Sequence, residues 1–207
     1  MLREQRRVRP GRAAQPSAGI VDSQSVQTTG VGGPRGDAGG KQSNGRTRHV
    51  LVDTPGLVLR AAVHEANIAD RDGITLLVAA EKTAGRPALR EQVPPRTHRW
   101  RDGGYTGAGQ GKSWVEQARG WTVDMVNHPR RPRGVWAEAG AVIDWAAIMP
   151  PPGCRGVLPR RGVVARTCAW LGQNRRLSQD FARLSTTGEA LIDVAMTRLM
   201  LRRLVRT

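Results

Sequence analysis

The runs His49-Val-Leu-Val-Asp53 and Leu57-Val-Leu-Arg-Ala-Ala-Val-His64 flank Thr54-Pro55-Gly56. Both are short, apolar and rich in β-branched residues, and Pro followed by Gly suits a type II turn, so the stretch predicts a β-hairpin. Upstream, Ala18-Gly-Ile-Val-Asp-Ser reads as a further strand, apolar and then abruptly polar. Residues 30–48, broken by Gly30, Gly32, Gly33, Gly36, Gly39, Gly40 and Gly45, read as a loop. Downstream, Asp70 or Asp72 can cap a helix reaching about Thr83, with Ile74, Leu77 and Val78 on one face. Thr97 to Asp102 is a weak strand, Ser113 to Arg119 a short helix and Trp121–Val126 a strand. Residues 128–160 form a long connection with a short helix near Val142–Met149. The last third is helical. Val164, Cys168 and Leu171 share a face, and Thr186-Thr-Gly-Glu189 fits a capping box ahead of Ile192, Ala195, Met196 and Leu199. Strand, hairpin, helix, strand, helix, strand and terminal helices make a mixed-sheet α/β domain. Residues 1–17 have no periodicity and read as a basic, disordered lead to a domain over 18–207.

The 207 residues carry 33 Lys+Arg against 17 Asp+Glu, a formal charge of +16. Such a balance calls for an anionic partner, and nucleic acid is the commonest one. Only three of the basic residues are lysines, so part of the arginine count reflects composition rather than function. No apolar run approaches the ~20 residues of a bilayer span, and the basic start lacks the apolar core of a secretory signal. The two cysteines, Cys154 and Cys168, have neither disulfide-scaffold nor zinc spacing, which suits a cytoplasmic setting.

Two aspartates close strands, Asp22 after Gly19-Ile20-Val21 and Asp102 before Gly103-Gly104. Carboxylates on neighbouring strands can hold a hard divalent cation, and Asp is equally common as a plain strand-end turn former. Gly107-Ala-Gly-Gln-Gly111-Lys112-Ser113 approaches a phosphate loop, but Thr106 stands where the first glycine is needed, so a nucleotide cofactor is not expected. The histidines His49, His64, His98 and His128 lack zinc spacing. Lys41, Arg46 and Arg48 beside the glycine-rich loop, and Arg161, Arg175 and Arg176 in the helical third, can reach phosphates or face solvent.

Ala18-Gly-Ile-Val-Asp-Ser-Gln-Ser-Val-Gln-Thr-Thr29 resembles the opening of the DDE domain of insertion-sequence transposases of the IS5 type (IS4/IS5 superfamily). Gly45 to Thr54, Ala69-Asp-Arg-Asp-Gly73 and Asp102-Gly-Gly-Tyr105 resemble further blocks. Leu158–Leu171 through Ser178 resembles the last catalytic helix, and Glu189–Leu204 the C-terminal helix. The order of blocks holds over about residues 17–205.

The resemblance implies an RNase H-like mixed sheet flanked by helices, with a long loop insertion before the last catalytic helix. It also implies two Mg²⁺ ions held by three acids, one activating the nucleophile and one the leaving oxygen. Asp22 and Asp102 take the first two acidic positions, while Ala165 stands where the family's glutamate is expected. Gly162 for Trp, Cys168 for Phe and Ala182 for Glu depart as well, and the family's N-terminal helical region is nearly absent. The implied activity is metal-dependent cleavage and strand transfer on the double-stranded ends of an insertion sequence, by a homodimer on DNA near the nucleoid. It is impaired at Ala165. The alternative is a non-catalytic DNA-binding remnant that competes with an intact transposase. Under either, Lys41, Arg46, Arg48, Arg161, Arg175 and Arg176 are the expected DNA contacts.

Overall fold

The computed structural model of the chain describes residues 2–38, 43–79, 98–101, 112–125, 138, 140–144 and 161–205. Six strands, β1 (Ala18–Gln27), β2 (Gly36–Ala38), β3 (Ser43–Asp53), β4 (Val58–Glu65), β5 (His98–Arg101) and β6 (Val123–Met125), form one sheet among these residues. The helices are α1 (Leu2–Val8), α2 (Asp70–Ala79), α3 (Lys112–Arg119), α4 (Arg161–Gly172), α5 (Arg175–Ser178) and α6 (Ser185–Val205). β3 is the axis of the sheet. One edge pairs antiparallel with β1 from Gly19↔Asp53 to Gln27↔Gly45, and the other with β4 and, beyond its end, with β2. β5 lies parallel to β1, and β6 parallel to β5.

Strand alternation splits the apolar residues between two faces. Val21, Leu51 and Ala62 pack with Ile74, Leu77 and Val78 of α2 and Val115 of α3. Ile20, Val50, Val52, Ala61 and Val63 pack with Val164 and Leu171 of α4, Leu177 of α5 and Ile192 of α6. Burying a sheet on both faces leaves the polar residues of its strands little access to water, so each needs a partner inside. On the α2 face Ser25 and Thr47 join their hydroxyls at 3.0 Å, Ser23 Oγ donates to Asp70 Oδ1 at 2.9 Å, and the His49 and His64 rings meet edge to face at 4.9 Å.

The hairpin expected around residues 54–56 is present, with a different turn. Gly56 N–H bonds Asp53 C=O at 2.9 Å, which makes Gly56 the fourth residue of the turn, not the third as a type II turn requires. Asp53 N–H reaches Leu57 C=O, so the loop has three residues and Gly56, at φ +86°, supplies its left-handed position. The Asp53 carboxylate caps the loop by accepting Leu57 N–H at 2.7 Å. Thr167 Oγ1 of α4 donates to Gly56 C=O at 2.8 Å and fixes the helix to the hairpin.

Further expectations change. The lead over 1–17 carries α1, held by tertiary contacts and not by its own periodicity. Arg7 is buried and its Nη1 donates to Asp53 Oδ2 at 2.7 Å, while Leu2 packs against the cluster of Leu57, Met196 and Met200. The loop over 30–48 contains β2 and the first half of β3. The helix expected at 142–149 is not formed over its described part, residues 142–144. The helix expected to reach Thr83 is described as far as Ala79, the strand expected from Trp121 starts at Val123, and α6 starts at Ser185.

Gly73 of α2 lies directly on the two histidines. A methyl group there would meet His49 Cε1 at 2.4 Å and His64 Nε2 at 2.6 Å. Gly to Ala inside a helix ordinarily stabilises by about 0.5–1 kcal/mol. Gly73→Ala should instead destabilise by about 1–3 kcal/mol through overpacking, read as a lower urea midpoint with an unchanged slope.

Candidate functional site

Asp22 sits in the middle of β1, opposite Val50 of β3, and shares the face of Ile20. It therefore lies on the side of the sheet that α4 covers. Its Oδ1 accepts the Ser23 backbone N–H at 2.9 Å. α4 packs across β1 with Val164 and Leu171 inward, and Thr167 buried between Gly56 and Val163. Cys168, on the same side of the helix, is partly buried and feels the charge of Asp22. Ala165, one turn before Cys168, is exposed. Gly162 is half-buried in the first turn of α4.

The expected DNA-contacting residues separate into distinct groups. Arg46 and Arg48 do not reach the surface. Arg46 is 0% exposed, and its guanidinium donates to Pro34 C=O at 2.7 Å, Ala182 C=O at 2.7 Å and Arg183 C=O at 2.6 Å, with Asp180 Oδ2 at 3.3 Å. Arg48 donates to Leu177 C=O at 2.6 Å and Gln179 C=O at 3.2 Å. Both expectations are corrected here: these guanidiniums are buried and join the sheet to the segment between α4 and α6 instead of facing a ligand at the surface. Arg175 and Arg176 are exposed on α5, and Arg161 is the first residue of α4. Lys41 and Asp102 lie outside the described residues, as do the glycines of the 107–111 loop.

Asp180 gave no signal in the sequence. It is 2% exposed, binds Arg46, and turns the chain by accepting Ala182 N–H at 3.0 Å. Glu189 has a different role from the capping box expected of it, because its Oε1 accepts Val63 N–H of β4 at 3.1 Å. A side chain committed to a strand 126 residues away cannot be inferred from a local spacing of three.

Burial pushes the Cys168 thiol up to about 12 from 9.0, and the Asp22 charge adds to the rise while Arg48 opposes it. The folded chain therefore favours the protonated thiol more than the unfolded chain does. That preference contributes in full below about pH 9 and is lost as the pH rises towards 12. Urea midpoints should accordingly fall across that interval, and Cys168→Ser should flatten the fall. The natural chain at pH 8 should react slowly with iodoacetamide at Cys168, and at the ordinary thiol rate once denatured.

Among the described residues, no three His, Cys, Asp or Glu side chains come close enough to hold a metal ion. No helix among them is long and apolar enough to cross a membrane. Searches of curated proteins and of solved structures give no match. A family model does match, the transposase DDE domain, over residues 13–140. That span holds β1 to β6, with Asp22 and the whole β1–β3–β4 ladder, and takes in more than half of the chain. The chain belongs to the transposase DDE domain family.

Proposed function

We propose that the chain is a transposase-type DNA-binding domain of an IS5-type insertion sequence whose DNA-cleaving site is impaired at position 165. The observation that carries this reading is the geometry around Asp22. β5 runs parallel to β1 with Ala18 opposite His98 and Ile20 opposite Trp100, just before Asp22 in β1. α4, which bears position 165, packs on the face of β1 to which Asp22 belongs. The strand order β4-β3-β1-β5-β6, with only β3 antiparallel to both its long neighbours, supports the RNase H-like reading.

Transposase DDE domains work with divalent metal, and Mg²⁺ suits a set of carboxylate oxygens. The donors present do not complete such a set. Asp22 offers one carboxylate, and Ala165 offers a methyl group where an oxygen is required. The neighbouring Cys168 is a poor substitute, because its thiol is held protonated and soft sulfur suits a hard cation badly. Losing a residue that merely supports a ligand costs about 10–100-fold in metal affinity or activity, and losing the ligand itself should cost more. Position 165 lies beyond the span that the family model matches, so its assignment rests on the sequence resemblance and on the placement of α4.

The absence of an oxygen at 165 equally favours the second reading, a non-catalytic remnant that competes with an intact transposase for DNA ends or for a place in its dimer. Ala165 is exposed, so Ala165→Glu should leave stability within about 0.5 kcal/mol. With Mg²⁺ or Mn²⁺ and supercoiled plasmid, the restored variant should nick and the natural chain should not. Nicking by the variant that survives Asp22→Asn would place the chemistry elsewhere. If neither chain nicks while both bind DNA, the remnant reading holds.

A further inference from the structure

The groove between α4–α5 and α6 has no part in the arrangement around Asp22. Two adjoining cavities, about 150 and about 400 Å³, share Gln173, Asn174, Ala195 and Arg198 as walls. Their floor is apolar, made by Leu171, Leu177, Leu191 and Met196. Arg175 and Arg176 of α5 rim one side, and Arg198 and Arg202 of α6 the other. All four are exposed, and none of the four side chains forms an ion pair or hydrogen bond with another described residue. At the far end the Trp170 ring carries the Arg203 guanidinium at 4.0 Å and that of Arg166 at 5.4 Å.

This concentration of positive charge outnumbers the acids of the same segment. Residues 161–205 contain eight arginines and three acids, and Asp180 is committed to Arg46 and Glu189 to Val63. Like charges one helical turn apart, as Arg198 and Arg202 are, weaken a helix rather than support it. Arg203 is held below the usual guanidinium range by burial, and the nearby Arg6 and Arg166 charges add to this. A tract of this kind is relieved by an external polyanion. The arginines are spread along the groove instead of converging on one point, which suits a ligand of evenly repeated charge. Arg198 and Arg202 are separated by about 6 Å along the axis, close to two steps of about 3.4 Å along one DNA strand. The guanidinium fork also matches phosphate oxygens in pairs.

We propose that this groove seats the sugar–phosphate backbone of duplex DNA, with Arg175 and Arg176 on one wall and Arg198 and Arg202 on the other contacting its phosphates independently of base sequence. The proposal rests on the DNA-binding reading above and names a surface for it on a different part of the molecule from Asp22.

The test is the salt dependence of binding to a labelled mixed-sequence duplex, followed by fluorescence anisotropy for the full chain. Each phosphate contact contributes about 0.9 to the slope of log K against log salt concentration. Arg198→Ala with Arg202→Ala should reduce that slope by close to two units, as should Arg175→Ala with Arg176→Ala, and the Lys versions of both pairs should restore most of it. Arg71→Ala, on the exposed side of α2, should leave it unchanged. Natural slopes in both Ala pairs, with DNA still bound, would overturn the groove and leave the wider reading standing. Failure of the natural chain to bind duplex DNA at low salt would overturn the reading itself. Displacement of the DNA by polyglutamate at equal charge concentration would assign the groove to an acidic protein segment, and would also overturn the proposal.

Discussion

The buried guanidinium of Arg46 is the constraint on which the C-terminal half of the molecule depends. It projects from the central strand β3 into the face covered by α4, α5 and α6, and collects two consecutive carbonyls, Ala182 and Arg183, together with the Asp180 carboxylate. A buried cation is costly unless every donor is satisfied and a counter-ion is in place, and removing one partner of such a pair typically costs about 3–5 kcal/mol. The pair is therefore better evidence of specificity than of stability. The guanidinium fork accepts one arrangement of the 180–183 segment, and that arrangement fixes where α6 begins. Arg48 does the same one pleat further along, binding the carbonyls of Leu177 and Gln179 at the end of α5. The opposite end of the same face is closed by Thr167 on Gly56. α4 packs across the same face through Val164 and Leu171, with Thr167 fixed to Gly56 and Cys168 within reach of the Asp22 charge.

These contacts explain which parts of the fold were legible in the sequence. The hairpin and the helices α2, α3, α4 and α6 show their own apolar patterns, because their partners are other apolar side chains and any of several would serve. β3 is hidden in its first half. Gly45, Arg46, Thr47 and Arg48 look like a polar loop, and burial of the two arginines becomes tolerable mainly through groups more than a hundred residues away, the Asp180 carboxylate and the carbonyls of Leu177, Gln179, Ala182 and Arg183. α1 is hidden for a similar reason, since its order comes from Arg7 reaching Asp53 and from Leu2 against Met196 and Met200. Pro-Gly marks the turn at residues 54–56 but serves both loop lengths, and the Asp53–Leu57 pairing makes the choice between them.

The candidate site divides along the same line. The resemblance singles out Asp22 and the helix carrying position 165, and in the structure β1 and that helix share one face of the sheet. The basic residues were legible only as charge. Arginine in this chain performs three physically different tasks: internal clamp at positions 7, 46 and 48, stacking on Trp170 at 166 and 203, and uncompensated surface charge at 175, 176, 198 and 202. Net charge cannot separate these tasks, and the separation is what moves the expected DNA contacts away from β3 and towards α5 and α6.

The central claim is that position 165 is the vacant member of a carboxylate set begun by Asp22. Mn²⁺ binding followed by electron paramagnetic resonance tests it directly, without reliance on DNA or turnover. The account predicts weak binding by the natural chain, binding at least about tenfold tighter in Ala165→Glu, and loss of that gain when Asp22→Asn is added. Equal Mn²⁺ affinity in the natural chain and in Ala165→Glu, or a gain that persists without the Asp22 carboxylate, would contradict it.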